Sequence, residues 1–206
     1  MSDRPTAKRV WGLFGELLDY PQESPVEMLR ECRALTGEIS PDAETKLAEF
    51  QAFAEEATLG RLQEEYTRAF DMDESHSLYV GYHLLGESYK RSALLLEFKQ
   101  RYRAHGFEVA GELADHLPVI LRFLAVCEDQ DLTTEIVGEA MWPMLDMMAK
   151  KDKKSDDAAV DEADRPPTVS RPYHALLAAL LRVVRVSPRT EPQPLTIAGA
   201  HGRQTT

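Results

Sequence analysis

The sequence has only two cysteines, Cys32 and Cys127, far apart and in no CxxC pair. A disulfide framework and a cysteine-based zinc site are thereby excluded, and two free thiols are expected. Long apolar runs are missing as well. The best, Ala175 to Leu181, falls far short of the roughly 20 residues of a membrane span. Met1 to Lys8 is polar, carries Asp3 and Pro5, and shows no apolar stretch before a small-residue cleavage site. No secretory signal is therefore expected, and a soluble protein in the cytoplasm follows. There is no run of alternating β-branched residues and no Asn-Gly or Asp-Gly hairpin turn, so no sheet is expected.

What is present suits one domain with tails: 206 residues, 43% apolar and 29% charged. The net charge of −11 is unevenly spread. Residues 171–206 hold five arginines and one glutamate, so the acidity lies in the first 170 residues. An acidic body repels a nucleic-acid backbone and tolerates a basic partner.

Apolar residues recur at helical spacing. Val10, Leu13, Phe14, Leu17 and Leu18 share a face in a helix expected from Thr6 to Asp19, closed by Tyr20-Pro21. Further helices are expected over Pro25 to Leu35, after Ser40-Pro41, and over Arg61 to Phe70 beyond an interruption at Gly60. Asp71 to Ser77 reads as a loop, and Leu78 to Gln100 as one helix bent at Gly86 or two. Asp115 is placed to cap a helix whose first turn holds His116, Leu117 and Pro118. A helix over Leu132 to Ala149 should kink or break at Trp142-Pro143. The expected architecture is all-α, a single-domain bundle of seven to nine helices. Its body is residues 1–149. Residues 150–170, nearly devoid of large apolar side chains, read as a flexible linker. Residues 171–187 form a C-terminal helix that packs on the body or swaps into a second copy. Residues 188–206 read as a disordered tail.

Templates for chemistry fail one by one. GxxxxGK[ST], GxGxxG, GxSxG and HExxH are all absent. His76 and His83 are seven residues apart, on one helix face if helical, but no second cluster completes a metal site. Asp71 to Ser75 opens like a calcium loop, yet His76 and Tyr82 stand where glycine and glutamate are needed. No ExxH pair supports a di-iron bundle. No catalytic residue, metal ligand or bound cofactor is expected, so the residues point to binding and not to an enzyme.

Two blocks do carry a resemblance. The first is Tyr66-Thr-Arg-Ala-Phe70-Asp71, followed by Ser77-Leu-Tyr79-Val-Gly-Tyr-His83-Leu-Leu-Gly86-Glu87-Ser88 and Arg91. The second is Glu112-Leu-Ala-Asp115-His116-Leu117-Pro118, running on to Phe123-Leu124. Both resemble the TorD/DmsD/NarJ family of redox-enzyme maturation chaperones, most closely the NarJ branch, the nitrate reductase delta subunit. Ser92-Ala-Leu-Leu and Ala114 depart from that branch, so the resemblance implies a client that is nitrate reductase or a related type II DMSO-reductase-family enzyme.

The resemblance implies an all-helical cytoplasmic chaperone without catalytic activity. It would hold the N-terminal signal or signal-like peptide of a molybdenum-cofactor catalytic subunit during cofactor insertion. The peptide site is expected near Tyr66, Phe70, Tyr79, His83, Glu87, Asp115 and His116. Each has a plainer reading: core packing for Tyr66 and Phe70, a helix cap for Asp115, a first-turn position for His116, and a bend at Glu87. The competing reading is an all-α adaptor or regulatory protein binding another helical peptide.

Overall fold

The computed structural model describes residues 4–109, 111–157 and 171–188. Ten α-helical segments run in order: α1 Arg4–Leu17, α2 Val26–Ile39, α3 Pro41–Glu56, α4 Leu59–Tyr66, α5 Val80–Leu85, α6 Tyr89–Ala104, α7 Leu117–Val126, α8 Gln130–Glu135, α9 Trp142–Asp157 and α10 Pro172–Val186. There is no strand among the described residues, and a single isolated β-bridge joins Tyr79 to His116. None of these helices is long and apolar enough to cross a membrane. Cys32 and Cys127 are free and buried, and burial pushes the Cys32 thiol up to about 12.

Several boundaries follow the sequence closely. Ser40 is extended before Pro41, and its hydroxyl accepts the Ala43 N–H at 3.3 Å, opening α3. The same proline restriction ends α2, which runs through Gly37 to Ile39, four residues beyond the expected stop at Leu35. The expected interruption at Gly60 falls earlier. Thr58 caps α4 by accepting the Arg61 N–H, and Gly60 lies inside the helix. Gly86 closes α5 with φ +62°, a left-handed geometry that suits glycine, and α6 resumes at Tyr89.

Two helices widen where the sequence suggested only ends or kinks. Thr67–Asp71 is π-helical, with the Met72 N–H reaching back five residues to Thr67 O. Ile136–Met141 is also π-helical and makes α8 and α9 one rod. Pro143 cannot donate to the preceding turn and crowds it, so the turn before the proline widens instead of breaking. Counted as continuous rods, the described residues hold nine helices. Asp115 departs from its expected role, because the residue flanking α7 is His116 and no side chain caps that helix.

α1 packs between α2 and α7, and α10 lies along α3 with one flank on α9. α10 buries Tyr173, Leu176, Leu177, Leu180, Leu181, Val183 and Val184 on its own chain. At ~1.5–3 kcal/mol per buried large apolar side chain, this face supplies roughly 10–20 kcal/mol before entropy, as much as any core helix. α9 continues to Asp157 and so occupies the first part of the expected linker; residues 158–170 and the expected tail from 189 onward lie outside the described residues. The extension is anchored where Asp152 meets two histidines of other segments.

Candidate functional site

The bridge between Tyr79 and His116 ties the two halves of the site together. The Val80 N–H donates to Asp115 O at 2.9 Å, and the Leu117 N–H donates to Leu78 O at 2.8 Å. The segment entering α5 is thereby pinned beside the segment entering α7, with the Tyr79 and His116 rings 5.0 Å apart.

Beneath the bridge sits Asp115, fully buried. Its Oδ2 accepts the Gly81 N–H and the Arg91 Nε–H, both at 3.1 Å. The carboxylate therefore serves the first turn of α5, and not α7 as its sequence position suggested. Gly81 makes this possible, since a Cβ there would lie 2.7 Å from Asp115 Oδ2. The Arg91 guanidinium also lies 5.6 Å from the Tyr79 ring centroid, an attraction to the ring face.

Above the bridge opens a pocket of about 190 Å³. Tyr66, Phe70, Tyr79 and His116 line it, joined by Tyr20 and Leu78, with Asp19, Asp71 and Glu112 as its acidic members. Tyr66 forms the floor. Its ring meets Tyr20, Phe70 and Tyr173 edge-on at 5.4, 4.9 and 5.5 Å, and its hydroxyl donates to Leu18 O at 3.2 Å. The Tyr79 hydroxyl donates to Glu112 Oε2 at 3.0 Å; burial, this bond and the glutamate's charge push the phenol up to about 12. Burial lowers the His116 pKa, so the ring is neutral at neutral pH, and its buried Nδ1 has no hydrogen-bond partner. Asp19 is ion-paired with Arg122.

Besides the buried Asp115, two more expected residues do not line the pocket. The His83 Nε2 lies 2.7 Å from Ser77 O, so this ring ties down its own loop. Glu87 is exposed in the turn between α5 and α6. The acidic members Asp19, Asp71 and Glu112 were not among the expected site residues. Glu112 stands inside the second block, but Asp19 ends the first helical pattern and gives no local sign of its position.

A second cluster lies away from this pocket. His76, in the 3-10 turn Glu74–His76, meets Asp73 before it, Asp152 on α9 and His174 on α10. Donor atoms of Asp73, His76 and His174 all lie within 4.8 Å of one another, a spacing that could hold a metal ion. His83, the partner considered from the sequence, takes no part.

The family model described as nitrate reductase delta subunit matches residues 36–161. The chain belongs to this family. Both blocks, from Tyr66 to Arg91 and from Glu112 to Leu124, fall inside the matched span. Among curated relatives of this nitrate reductase delta subunit member, a Bacillus subtilis (strain 168) protein bearing the name of a nitrate reductase molybdenum cofactor assembly chaperone, NarJ, is 34% identical over 114 residues. That match covers 54% of this chain and 62% of the relative. NarW of Escherichia coli (strain K12), named for the same role, is 26% identical over 172 residues, covering 83% of this chain and 66% of the relative. NarJ of the same strain is 36% identical over 64 residues, covering 31% of this chain and 27% of the relative. The chain thus spans at most about two thirds of the length of these relatives. A solved structure from Archaeoglobus fulgidus, described as a redox enzyme maturation protein, superposes with a TM-score of 0.55 at 20% identity. It covers 86% of this chain and 93% of that one, and the two share a fold.

Proposed function

We propose that this protein is a cytoplasmic assembly chaperone for a molybdenum-cofactor oxidoreductase. It binds the N-terminal, signal or signal-like segment of the catalytic subunit and holds that subunit during cofactor insertion. The client is nitrate reductase or a related type II DMSO-reductase-family enzyme. The role is binding and not catalysis, as the names of the relatives suggest.

The observation that carries this reading is the pocket, where Tyr66, Phe70, Tyr79 and His116 meet beside Asp19, Asp71 and Glu112. Its volume of about 190 Å³ suits one large side chain of a peptide rather than a whole cofactor, since small-molecule sites run to about 300–1,000 Å³. The remainder of a helical peptide would lie across the neighbouring surface. A basic residue near that anchor would meet the carboxylates of Asp71 and Glu112, and each charge-assisted hydrogen bond contributes about 1.5–3 kcal/mol.

The test is isothermal titration of the full chain with a synthetic N-terminal peptide of a nitrate reductase catalytic subunit from the same organism. We expect saturable one-to-one binding that weakens about tenfold in Glu112→Gln, equivalent to about 1.4 kcal/mol, and weakens further with salt. Absence of heat and of any rise in melting temperature with that peptide would sink the proposal.

A further inference from the structure

We propose that His76, Asp152 and His174 form a binding site for one divalent transition-metal ion, with Asp73 as the positioning residue behind His76. The three ligands come from three separate elements: the turn before α5, the extended end of α9, and the first turn of α10. Asp152 Oδ1 lies 2.9 Å from His174 Nδ1 and 3.1 Å from His76 Nε2. The two imidazole centroids are 4.0 Å apart. Ligand atoms of a tetrahedral zinc ion, at bonds of about 2.0–2.1 Å, stand about 3.3 Å from one another. The two carboxylate–imidazole separations therefore lie within a few tenths of an ångström of that spacing.

A second observation points to a ligand. His76 is 2% exposed, and its Nε2 has no hydrogen-bond partner although the Asp152 oxygen is close. A buried ring nitrogen without a hydrogen-bond partner is a position for a ligand. The opposite nitrogen is fully occupied. His76 Nδ1 sits 3.0 Å from Asp73 Oδ2 and 2.8 Å from Ser75 Oγ. Asp73 is fixed in turn by the Ser75 N–H at 2.9 Å and its hydroxyl at 2.5 Å. A carboxylate on Nδ1 keeps the proton there and turns the Nε2 lone pair toward the metal, the arrangement that orients ligating histidines generally.

The donor set decides the class of ion. Two imidazoles and one carboxylate favour zinc, cobalt, nickel or copper over calcium or magnesium, which take oxygen ligands. Access exists, because a cleft of about 290 Å³ lined by Asp73, Arg171 and His174 opens beside the cluster. Arg171, 3.6 Å from Asp152 Oδ1 and half-exposed, swings outward as the ion enters. A bound ion would clip α10 to α9 and to the turn ahead of the peptide pocket. Asp73 and His76 are close in sequence, but Asp152 and His174 are not, so no compact motif announces the site.

The untagged full chain, stripped with EDTA and dialysed, is titrated with zinc chloride by calorimetry, and with cobalt chloride by visible absorption. We expect one equivalent of zinc and the cobalt absorption of a low-coordinate nitrogen and oxygen site. His174→Ala and Asp152→Asn lose this stoichiometric binding while keeping wild-type helicity by circular dichroism. Asp73→Asn weakens it about 10–100-fold, as expected for a positioning carboxylate. His105→Ala, exposed and remote, keeps it. No zinc taken up by the wild type, or equal affinity in His174→Ala, overturns the proposal. No client peptide enters this experiment, so its failure is separate from failure of the chaperone reading.

Discussion

The most informative single substitution is Arg91→Met. Asp115 has no contact with solvent, and its Oδ2 has two donors, the Gly81 N–H and the Arg91 Nε–H. Its Oδ1 has none. Among the described residues Arg91 is the cation paired with this fully buried carboxylate, and methionine keeps most of its aliphatic packing while removing the charge. Removing one partner of a buried ion pair costs about 3–5 kcal/mol. Domains of this kind are stable by about 5–15 kcal/mol in total, so the loss is a large fraction. In urea, with a slope of about 2 kcal/mol per molar, the unfolding midpoint should fall by about 1.5–2.5 M. Asp115→Asn should cost about 1.5–3 kcal/mol, because one charge-assisted hydrogen bond becomes neutral and an amide N–H₂ is left to place. The double variant should lose less than the sum by about 1 kcal/mol or more, since both singles break the same contact. Far-UV circular dichroism against urea measures all three. A midpoint for Arg91→Met within about 0.5 M of the wild type would refute the assignment of Arg91 as the essential counter-charge.

Three further outcomes are expected. Gly81→Ala, whose Cβ would meet Asp115 Oδ2 at 2.7 Å, should destabilise the fold by about 1–3 kcal/mol in the same assay and weaken peptide binding by distorting the bridge. The His116 imidazole, with its pKa lowered by burial against the pull of Glu112, Asp19 and Asp115 and alongside Arg122, should titrate below the ordinary histidine value in a proton NMR pH series. The sign follows: the unfolded ring takes up its proton first as pH falls, so this residue's contribution to stability is complete above about pH 6.5 and is lost on acidification through its folded value. Tyr173→Ala, which removes the ring that meets Phe50, Tyr66 and Phe70, should cost about 3–5 kcal/mol by thermal melting.

The helical class, the start of α3 and the turn at Gly86 were legible because each rests on local chemistry. A serine before proline, a glycine at positive φ and apolar spacing act within a few residues. Asp115 was misread for the same reason. As a small acidic residue just before a helix it looked like that helix's cap, whereas its carboxylate serves α5, more than thirty residues earlier in the chain. Tyr66, Phe70, Tyr79 and His116 were legible as candidates from the resemblance, and the structure brings them to one pocket. His83 and Glu87 share the same block but turn to their own loop and to solvent. Asp19 and the His76–Asp152–His174 cluster could not be read from spacing, because their partners meet only when the rods pack. The π-helical stretches have no compositional sign beyond Pro143.

The position of Tyr173 has a consequence for synthesis. The aromatic floor of the pocket is built from Tyr20, Tyr66, Phe70 and Tyr173, so its last ring is translated well after the other three. Until α10 has left the ribosome, α3 keeps an uncovered apolar flank and the floor lacks one wall. The nascent chain therefore carries α1 to α9 as an incomplete body, and the pocket of the proposed peptide site is complete only after α10 has docked.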